Sequence, residues 1–158
     1  MARQLWFLRH GEAEPHGARP DSARRLTERG EAQAVAAGRA LAALGCSVTH
    51  IVTSPKIRGR DTARLAAPPL GVEPVEHRAL ASGFDRDDAS ELLHALGADE
   101  RLLVVGHDPD FSRVVHDLTG ARVDFKKGGV AGVRMEGTTG GELLVLLRPR
   151  ELAAIAGA

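Results

Sequence analysis

Aromatic residues are scarce in this sequence of 158 residues, which has no tyrosine, one tryptophan and four phenylalanines. Stacking platforms for nucleic-acid bases need exposed aromatic side chains, so such a platform is not expected here. The sequence also lacks an excess of charge, because 21 Lys and Arg residues balance 21 Asp and Glu residues. A neutral chain gives no sign of binding an extended polyanion, such as nucleic acid, or an anionic membrane.

Cysteine and long hydrophobic runs are almost absent as well. Cys46 is the single cysteine, so neither an internal disulfide nor a zinc site built on a cysteine pair is possible. No window approaches the ~20 apolar residues of a membrane span, and no signal-peptide pattern follows Met1. We therefore expect one cytoplasmic domain over residues 1–158, with no metal and no cofactor.

Short apolar runs alternate with segments that carry helix signals. The runs are at 5–8, 50–52, 102–105 and 143–147, and their continuity indicates strands covered on both faces. Cap residues, prolines and glycines predict helices from Thr27 to Gly45, from Ser54-Pro55 to about Ala66, at 88–96, and from Asp108-Pro109 to Leu118. Residues 130–135 and 142–147 indicate a terminal hairpin. The pattern predicts an α/β protein with three layers: a mostly parallel central sheet with helices on both faces.

Unusual polar residues follow three of the four predicted strands. They are Arg9, His10, Gly11 and Glu12 after the first, Ser54 and Arg58 after the second, and Gly106 and His107 after the third. Ligands of open α/β sheets bind beyond the carboxyl ends of the strands, so two histidines and two arginines are expected at one edge.

These residue types suit a phosphoryl group. Guanidinium groups of Arg9 and Arg58 match phosphate oxygens, and helices predicted to begin at Ser54 and Asp108 would add backbone N–H donors. A neutral histidine can attack phosphorus, and either His10 or His107 could do so. A lone histidine or arginine at such a position is more often structural, but four at three strand ends favour a site. Gly11 indicates either close approach of the backbone to phosphate or an ordinary turn.

Four motifs in order resemble the histidine phosphatase superfamily, also called phosphoglycerate-mutase-like. They are Arg9-His10-Gly11, the Arg25 to Gly30 segment with its Leu-Thr pair, Ser54-Pro55 with Arg58 and Thr62-Ala63, and Gly106-His107-Asp108-Pro109. The short chain and the segment from Lys127 to Ala131 are similar to the SixA-like branch, which is associated with phosphohistidine dephosphorylation. The resemblance implies that His10 is the phosphorylated nucleophile and that Arg9, Arg58 and His107 complete the phosphate pocket.

One position departs from the larger branches of that superfamily. Their acidic proton donor lies in an L-x-E segment, where this sequence has Leu80-Ala81-Ser82. Ser82 cannot act as a carboxylic acid, which matters less for an imidazole leaving group than for an alkoxide. Glu12 and Asp85 remain candidate donors.

The resulting hypothesis is a metal-independent phosphatase that acts on phosphohistidine in a partner protein. One alternative keeps the enzyme and changes the substrate to a small phosphomonoester, such as a sugar phosphate. A second alternative is a non-catalytic phosphate-binding module.

Overall fold

The computed structural model describes residues 2–157, which fold around one six-stranded sheet. The strands are β1 (Gln4–Arg9), β2 (His50–Thr53), β3 (Pro74–Glu76), β4 (Arg101–Gly106), β5 (Val130–Glu136) and β6 (Gly140–Leu147). The helices are α1 (Glu28–Ala43), α2 (Ile57–Ala66), α3 (Arg86–His94), α4 (Asp110–Thr119) and α5 (Pro149–Ala156). None of these helices is both long enough and apolar enough to span a membrane.

The sheet has the order β3-β2-β4-β1-β5-β6. The first four strands of this order run parallel to one another, whereas β5 is antiparallel to β1 and forms an antiparallel hairpin with β6. The mostly parallel sheet and the terminal hairpin predicted from the sequence are both confirmed.

Apolar side chains cover both faces of this sheet. In β1, Leu5 and Phe7 pack on one face with residues of α3 and α4. Trp6 and Leu8, which point the other way, pack with residues of α1, α2 and α5. A continuous apolar run is the pattern expected of a strand between two helical layers, and the three-layer architecture is confirmed.

The connections after β1 and β4 diverge, although these strands are parallel neighbours. The chain leaves β1 for α1 on one face of the sheet and leaves β4 for α4 on the other face. Such a divergence opens a crevice between the carboxyl ends of the two strands, where α/β proteins bind ligands. His10 and His107 are the first residues after these two strands.

Two predicted helix starts were wrong in position. Helix α2 begins at Ile57 rather than at Ser54-Pro55, and α4 begins at Asp110 rather than at Asp108-Pro109. Ser54 and Asp108 still accept hydrogen bonds from backbone amides near each start, but they do so from ahead of the helix. The helix expected at 88–96 spans Arg86–His94 and begins with a capping box between Asp85 and Asp88.

Two elements were not predicted at all. Strand β3 has three residues at the edge of the sheet, and two of them are exposed, so it lacks a hydrophobic signature. Helix α5 follows β6 directly and has Leu152 as its one buried residue. In contrast, the N-cap at Thr27 is confirmed, because its side chain accepts a hydrogen bond from the amide of Gly30.

Helices α1 and α2 touch through their backbones at Gly38. A Cβ at this position would lie 2.1 Å from the carbonyl oxygen of Ala66, far inside any allowed contact. The glycine is therefore required by close helix packing, although it is a poor helix former.

We predict that Gly38→Ala lowers the free energy of unfolding by about 1–3 kcal/mol, even though alanine favours an isolated helix by about 1 kcal/mol. The helices must separate to admit the methyl group, and urea unfolding measures the loss. Gly140→Ala is the control, because a Cβ there lies 3.7 Å from its nearest neighbour, an ordinary contact. Equal stability of the two variants would contradict the steric argument.

Candidate active site

His10 and His107 lie side by side beyond the ends of β1 and β4. The strands pair in register up to Arg9 and Gly106, and the amide of His10 donates to the carbonyl of Gly106 at 2.9 Å. The two imidazole centroids are 5.2 Å apart. Both side chains are buried, with relative exposures of 6% for His10 and 7% for His107. The two histidines predicted for the site are thus brought together by strand register.

His10 is held with one defined ring nitrogen available. Its Nδ1 lies 2.7 Å from the carbonyl oxygen of Gly11, which can only accept, so Nδ1 carries the proton. Burial lowers the pKa of His10 to about 3, and the positive charges of Arg58, Arg9 and Lys127 add to this effect. The ring is therefore neutral at pH 7, and Nε2 keeps its lone pair.

His107 is held by the end of β2. Its Nε2 lies 2.7 Å from Oγ of Ser54, which is fully buried and also accepts the amide of Lys56. Burial lowers the pKa of His107 to about 3 as well, assisted by charge at Arg58 and by His10. If the Ser54 hydroxyl donates to Nε2, the remaining Nδ1–H is free to donate to a ligand.

Arg9 extends from the end of β1 and is anchored by the loop before β5. Its Nη1 donates to the carbonyl of Phe125 at 2.6 Å. The amide of Gly128 donates to the carbonyls of both Arg9 and His10, so this loop is fastened to the chain that carries the nucleophile candidate. Burial lowers the pKa of Arg9, but a guanidinium remains charged at neutral pH.

Arg58 lies in the first turn of α2 and is held by Asp21. Its Nη1 donates to the backbone carbonyl of Asp21 at 2.7 Å, and its Nη2 is 3.4 Å from the Asp21 carboxylate. Lys56 also donates to that carboxylate, at 3.0 Å. These cations, with Arg24, hold the pKa of Asp21 well below its usual range. Asp21 therefore orders the charges on α2 from a segment 37 residues away.

Several buried nitrogens of this group lack partners. Within residues 2–157, four buried side-chain polar atoms make no hydrogen bond, and three of them are Nε of Arg9, Nε of Arg58 and Nδ1 of His107. Buried polar groups are rarely left unpaired without reason. All three can act as N–H donors, which makes the crevice suited to an anion with several acceptor oxygens.

Some amides at the helix starts already have partners within the protein. Near the start of α4, the amide of Ser112 donates to Asp108 and that of Phe111 donates to the carbonyl of His107. Near the start of α2, the amide of Lys56 is accepted by Ser54. These three amides already have partners and are not free for an anion, and donation from the other amides at the helix starts stays a prediction.

Gly11 has a structural role that the turn hypothesis did not identify. A Cβ on Gly11 would lie 2.4 Å from the carbonyl oxygen of Gly30, so the loop after β1 rests on the start of α1 without an intervening side chain. The amide of Gly11 donates to Oγ1 of Thr62, whose hydroxyl in turn donates to the carbonyl of Arg58. Gly11 and Thr62 thus link the backbones that carry His10 and Arg58.

The two candidate proton donors occupy different places. Glu12 follows the site loop, is partly buried, and accepts a hydrogen bond from the hydroxyl of Thr27 at 2.9 Å. Asp85 is exposed and caps α3, where it accepts the amide of Asp88 at 2.9 Å. Of the two, Glu12 shares a cleft with Arg9.

Asp21 was not predicted from the sequence, because it lies in a short 3₁₀ helix (Asp21–Ala23) without hydrophobic periodicity. The available signal was chemical: Arg58 requires a nearby carboxylate once it is buried. Within the described part of the chain, no group of three or more His, Cys, Asp or Glu residues is arranged to hold a metal ion.

Comparison with known proteins agrees with the fold and with the motifs. A family model described as histidine phosphatase superfamily (branch 1) matches residues 5–82. A relative from Picosynechococcus sp., named only as an uncharacterized protein, is 33% identical over 162 residues, covering 94% of this chain and 98% of the relative. The chain belongs to the histidine phosphatase superfamily.

Solved structures share this fold over nearly the full chain. The protein histidine phosphatase SixA complexed with tungstate superposes with a TM-score of 0.82 at 23% identity, covering 94% of this chain and 99% of that one. A protein of Nakamurella multipartitia, named as a candidate phosphohistidine phosphatase SixA, gives a TM-score of 0.79 at 27% identity, covering 94% and 97%. A mycobacterial glucosyl-3-phosphoglycerate phosphatase gives 0.73 at 18% identity, covering 92% and 98%. Membership of the superfamily implies phosphatase activity, and these structures include phosphatases named for different substrates.

The depressed pKa values of His10 and His107 predict that the protein loses stability in acid. Each histidine is neutral when folded, with a pKa of about 3, but takes up a proton near pH 6.5 when unfolded. The free energy of unfolding is therefore unaffected by each histidine's titration above pH 6.5. Below that pH, each histidine lowers it by about 1.4 kcal/mol per pH unit as the pH drops towards 3.

Urea unfolding between pH 7 and pH 5 measures this slope. We expect the variants His10→Ala and His107→Ala each to have a shallower dependence than the wild type, by roughly 1 kcal/mol per pH unit below pH 6.5. An unchanged slope in both variants would show that folding does not lower the pKa of these histidines.

Proposed function

We propose that this protein is a metal-independent phosphatase that removes the phosphoryl group from phosphohistidine in a partner protein through a phosphorylated His10. The observation that carries the proposal is the state of His10: its Nδ1–H is engaged by Gly11, and its lone pair is on Nε2. The surrounding donors of Arg9, Arg58 and His107 match a phosphoryl group. We also propose that the protein works in the cytoplasm, where buried Cys46 would stay reduced.

The reaction would proceed in two displacements at phosphorus. In the first, Nε2 of His10 forms a bond to phosphorus as the bond to the substrate nitrogen breaks, and the departing imidazole takes a proton from solvent and leaves as a neutral ring. In the second, water attacks phosphorus, the bond to His10 breaks, and the proton of the water passes to solvent. Inorganic phosphate leaves, and His10 returns to its neutral form.

The arginines and His107 would stabilise this transfer by charge. The phosphoryl group passes through a loose transition state with negative charge on its equatorial oxygens, and positioned donors lower its energy. Arg9 and Arg58 carry permanent charge, and the anion itself would favour protonation of His107. The site therefore provides charge stabilisation without needing a metal ion.

The phosphohistidine substrate is supported by the lack of a carboxylic acid at the position where the larger branches carry their proton donor. An alkoxide leaving group needs a proton in the transition state, and such catalysis contributes about 10²- to 10⁴-fold. Ser82 occupies the position where the larger branches carry their acid, and Asp85 is committed to capping α3. An imidazole leaving group needs less acid catalysis than an alkoxide does.

We predict that His10→Ala lowers the rate of phosphate release from a phosphohistidine-containing phosphotransfer domain by about 10³-fold or more. Wild-type protein quenched during turnover should carry an acid-labile phosphoryl group on His10, detectable by mass spectrometry. His94→Ala is the matched control, because His94 is exposed on α3 and bonds only within that helix. Unchanged turnover in His10→Ala, or loss of turnover on chelation, would refute the mechanism.

A small phosphomonoester is the second candidate substrate, and the cleft beside Arg9 that contains Glu12 favours it. If esters are hydrolysed with Glu12 as the acid, Glu12→Gln should lower ester turnover about 10²-fold. The same variant should change phosphohistidine turnover by less than about threefold, because little acid catalysis is needed there. Comparison of kcat/KM on both substrate types decides between them, and faster ester hydrolysis by the wild type would refute the phosphohistidine assignment.

A non-catalytic phosphate-binding module is the remaining alternative. The retention of Arg9, His10, Arg58 and His107 in one crevice argues against it, because binding alone does not need a neutral nucleophile. Phosphoryl incorporation on His10 would exclude it.

A further inference from the structure

A basic cleft lies next to the phosphate site. It has a volume of about 500 Å³ and is formed by the start of α1, the loop before β5 and the start of α5. Its cationic residues are Arg9, Arg29, Lys126, Lys127, Arg148 and Arg150, and its carboxylates are Glu12 and Asp124. Six of the 21 basic residues therefore gather in one depression of a molecule whose net charge is zero.

Part of this charge is already neutralised within the protein. Lys126 pairs with Asp124 at 2.8 Å, and Arg148 pairs with Glu151 at 2.7 Å. Arg150 is 3.8 Å from Glu151 and its side chain is 78% exposed, so this pair is weak. Among the described residues, neither Arg29 nor Lys127 forms an ion pair within 4.0 Å, and both are exposed. Arg29, Lys127 and Arg150 are thus the cations available to a ligand.

The basic cleft is continuous with the phosphate site. Arg9 belongs to both, and Lys127 is close enough for its charge to act on His10. The amide of Gly128, next to Lys127, donates to the carbonyl of His10 at 2.9 Å. A substrate whose phosphoryl group reaches His10 would therefore extend over these cations.

We propose that the basic cleft binds acidic side chains that flank the phosphohistidine of the substrate protein. This inference rests on the proposed function and names the partner's chemistry: a protein surface with Asp or Glu residues beside the phosphorylated histidine. Arg29, from α1, and Arg150, from α5, would contact these carboxylates while the phosphoryl group occupies the site between His10 and His107.

The residues that line the basic cleft favour a protein surface as its ligand over the non-phosphate part of a small metabolite. Small-molecule sites are lined mostly by apolar residues with a few polar groups, whereas eight of the eleven residues that line this cleft are charged. Its apolar members are Phe125, which is 1% exposed, and Pro149. Complementary charge spread over three separate segments is typical of a protein interface that governs encounter and specificity.

Binding of unphosphorylated peptides tests this inference independently of catalysis. The probes are a fluorescently labelled peptide with glutamates on both sides of one histidine and the same peptide with glutamines. We expect the wild type to bind the glutamate peptide about tenfold more tightly at low salt, and added salt to remove the preference. Fluorescence anisotropy measures both affinities.

The double variant Arg29→Gln/Arg150→Gln should reduce affinity for the glutamate peptide about fivefold and leave the glutamine peptide unchanged. The control variant Arg39→Gln/Arg64→Gln removes the same number of charges from exposed positions on α1 and α2 outside the basic cleft. Equal binding of the two peptides, or an equal loss in both double variants, would overturn the inference.

Hydrolysis of the same peptides after chemical phosphorylation separates the two proposals. The wild type could prefer the glutamate peptide in binding and yet hydrolyse neither phosphopeptide. This result would refute the proposed function but support acidic side chains as ligands of the basic cleft. Hydrolysis of both phosphopeptides at equal kcat/KM, with equal binding, would refute the inference about the basic cleft and support the proposed function. Both double variants should hydrolyse phosphoramidate at the wild-type rate, because this small substrate does not extend to Arg29 or Arg150.

Discussion

Positive charge accumulated at one end of the sheet, with little negative charge to balance it, is the constraint that organises this molecule. Arg9, Arg58 and two neutral imidazoles share a crevice in which Asp21 is the carboxylate that contacts a guanidinium. Burial makes further protonation costly, so both histidines have low pKa values. A bound anion would supply acceptors for the unpaired nitrogens and reduce the repulsion. The same feature thus accounts for the state of the nucleophile candidate and for the type of ligand.

The scaffold holds these groups mainly through the backbone. Strand register places His10 beside His107, and the loop after β1 packs directly against the start of α1 at Gly30. Thr62 then joins this loop to α2 through two hydrogen bonds. Because backbone positions vary less than long side chains do, the relative placement of the site groups depends on the two hydrophobic cores more than on the site residues themselves. The cores on both faces of the sheet stabilise an arrangement that is unfavourable by itself.

Much of the fold was predictable because its signals are local. Continuous apolar runs identified the buried strands, and Thr27 identified the start of α1. Strand β3 was not predictable, since three mostly exposed residues at a sheet edge carry no periodicity. The proximity of the four candidate site residues was predictable, because they follow the ends of strands. Asp21 instead lies in a short 3₁₀ helix and contacts Arg58 only in the folded chain. The caps that predicted the helix starts also occupy some of the amides there: Ser54 accepts the amide of Lys56, and Asp108 accepts that of Ser112.

The central place of β1 has a consequence for local opening of the protein. This strand is hydrogen-bonded on both sides, to β4 and to β5, and lies between two helical layers. Its amides can exchange with solvent only if both sheet contacts separate, which for a central strand approaches global unfolding. Arg58, on the peripheral helix α2, lies in an element that can open at lower cost. Partial unfolding would therefore displace Arg58 before it displaced His10, and the backbone around His10 would be the last part of the crevice to become accessible to solvent.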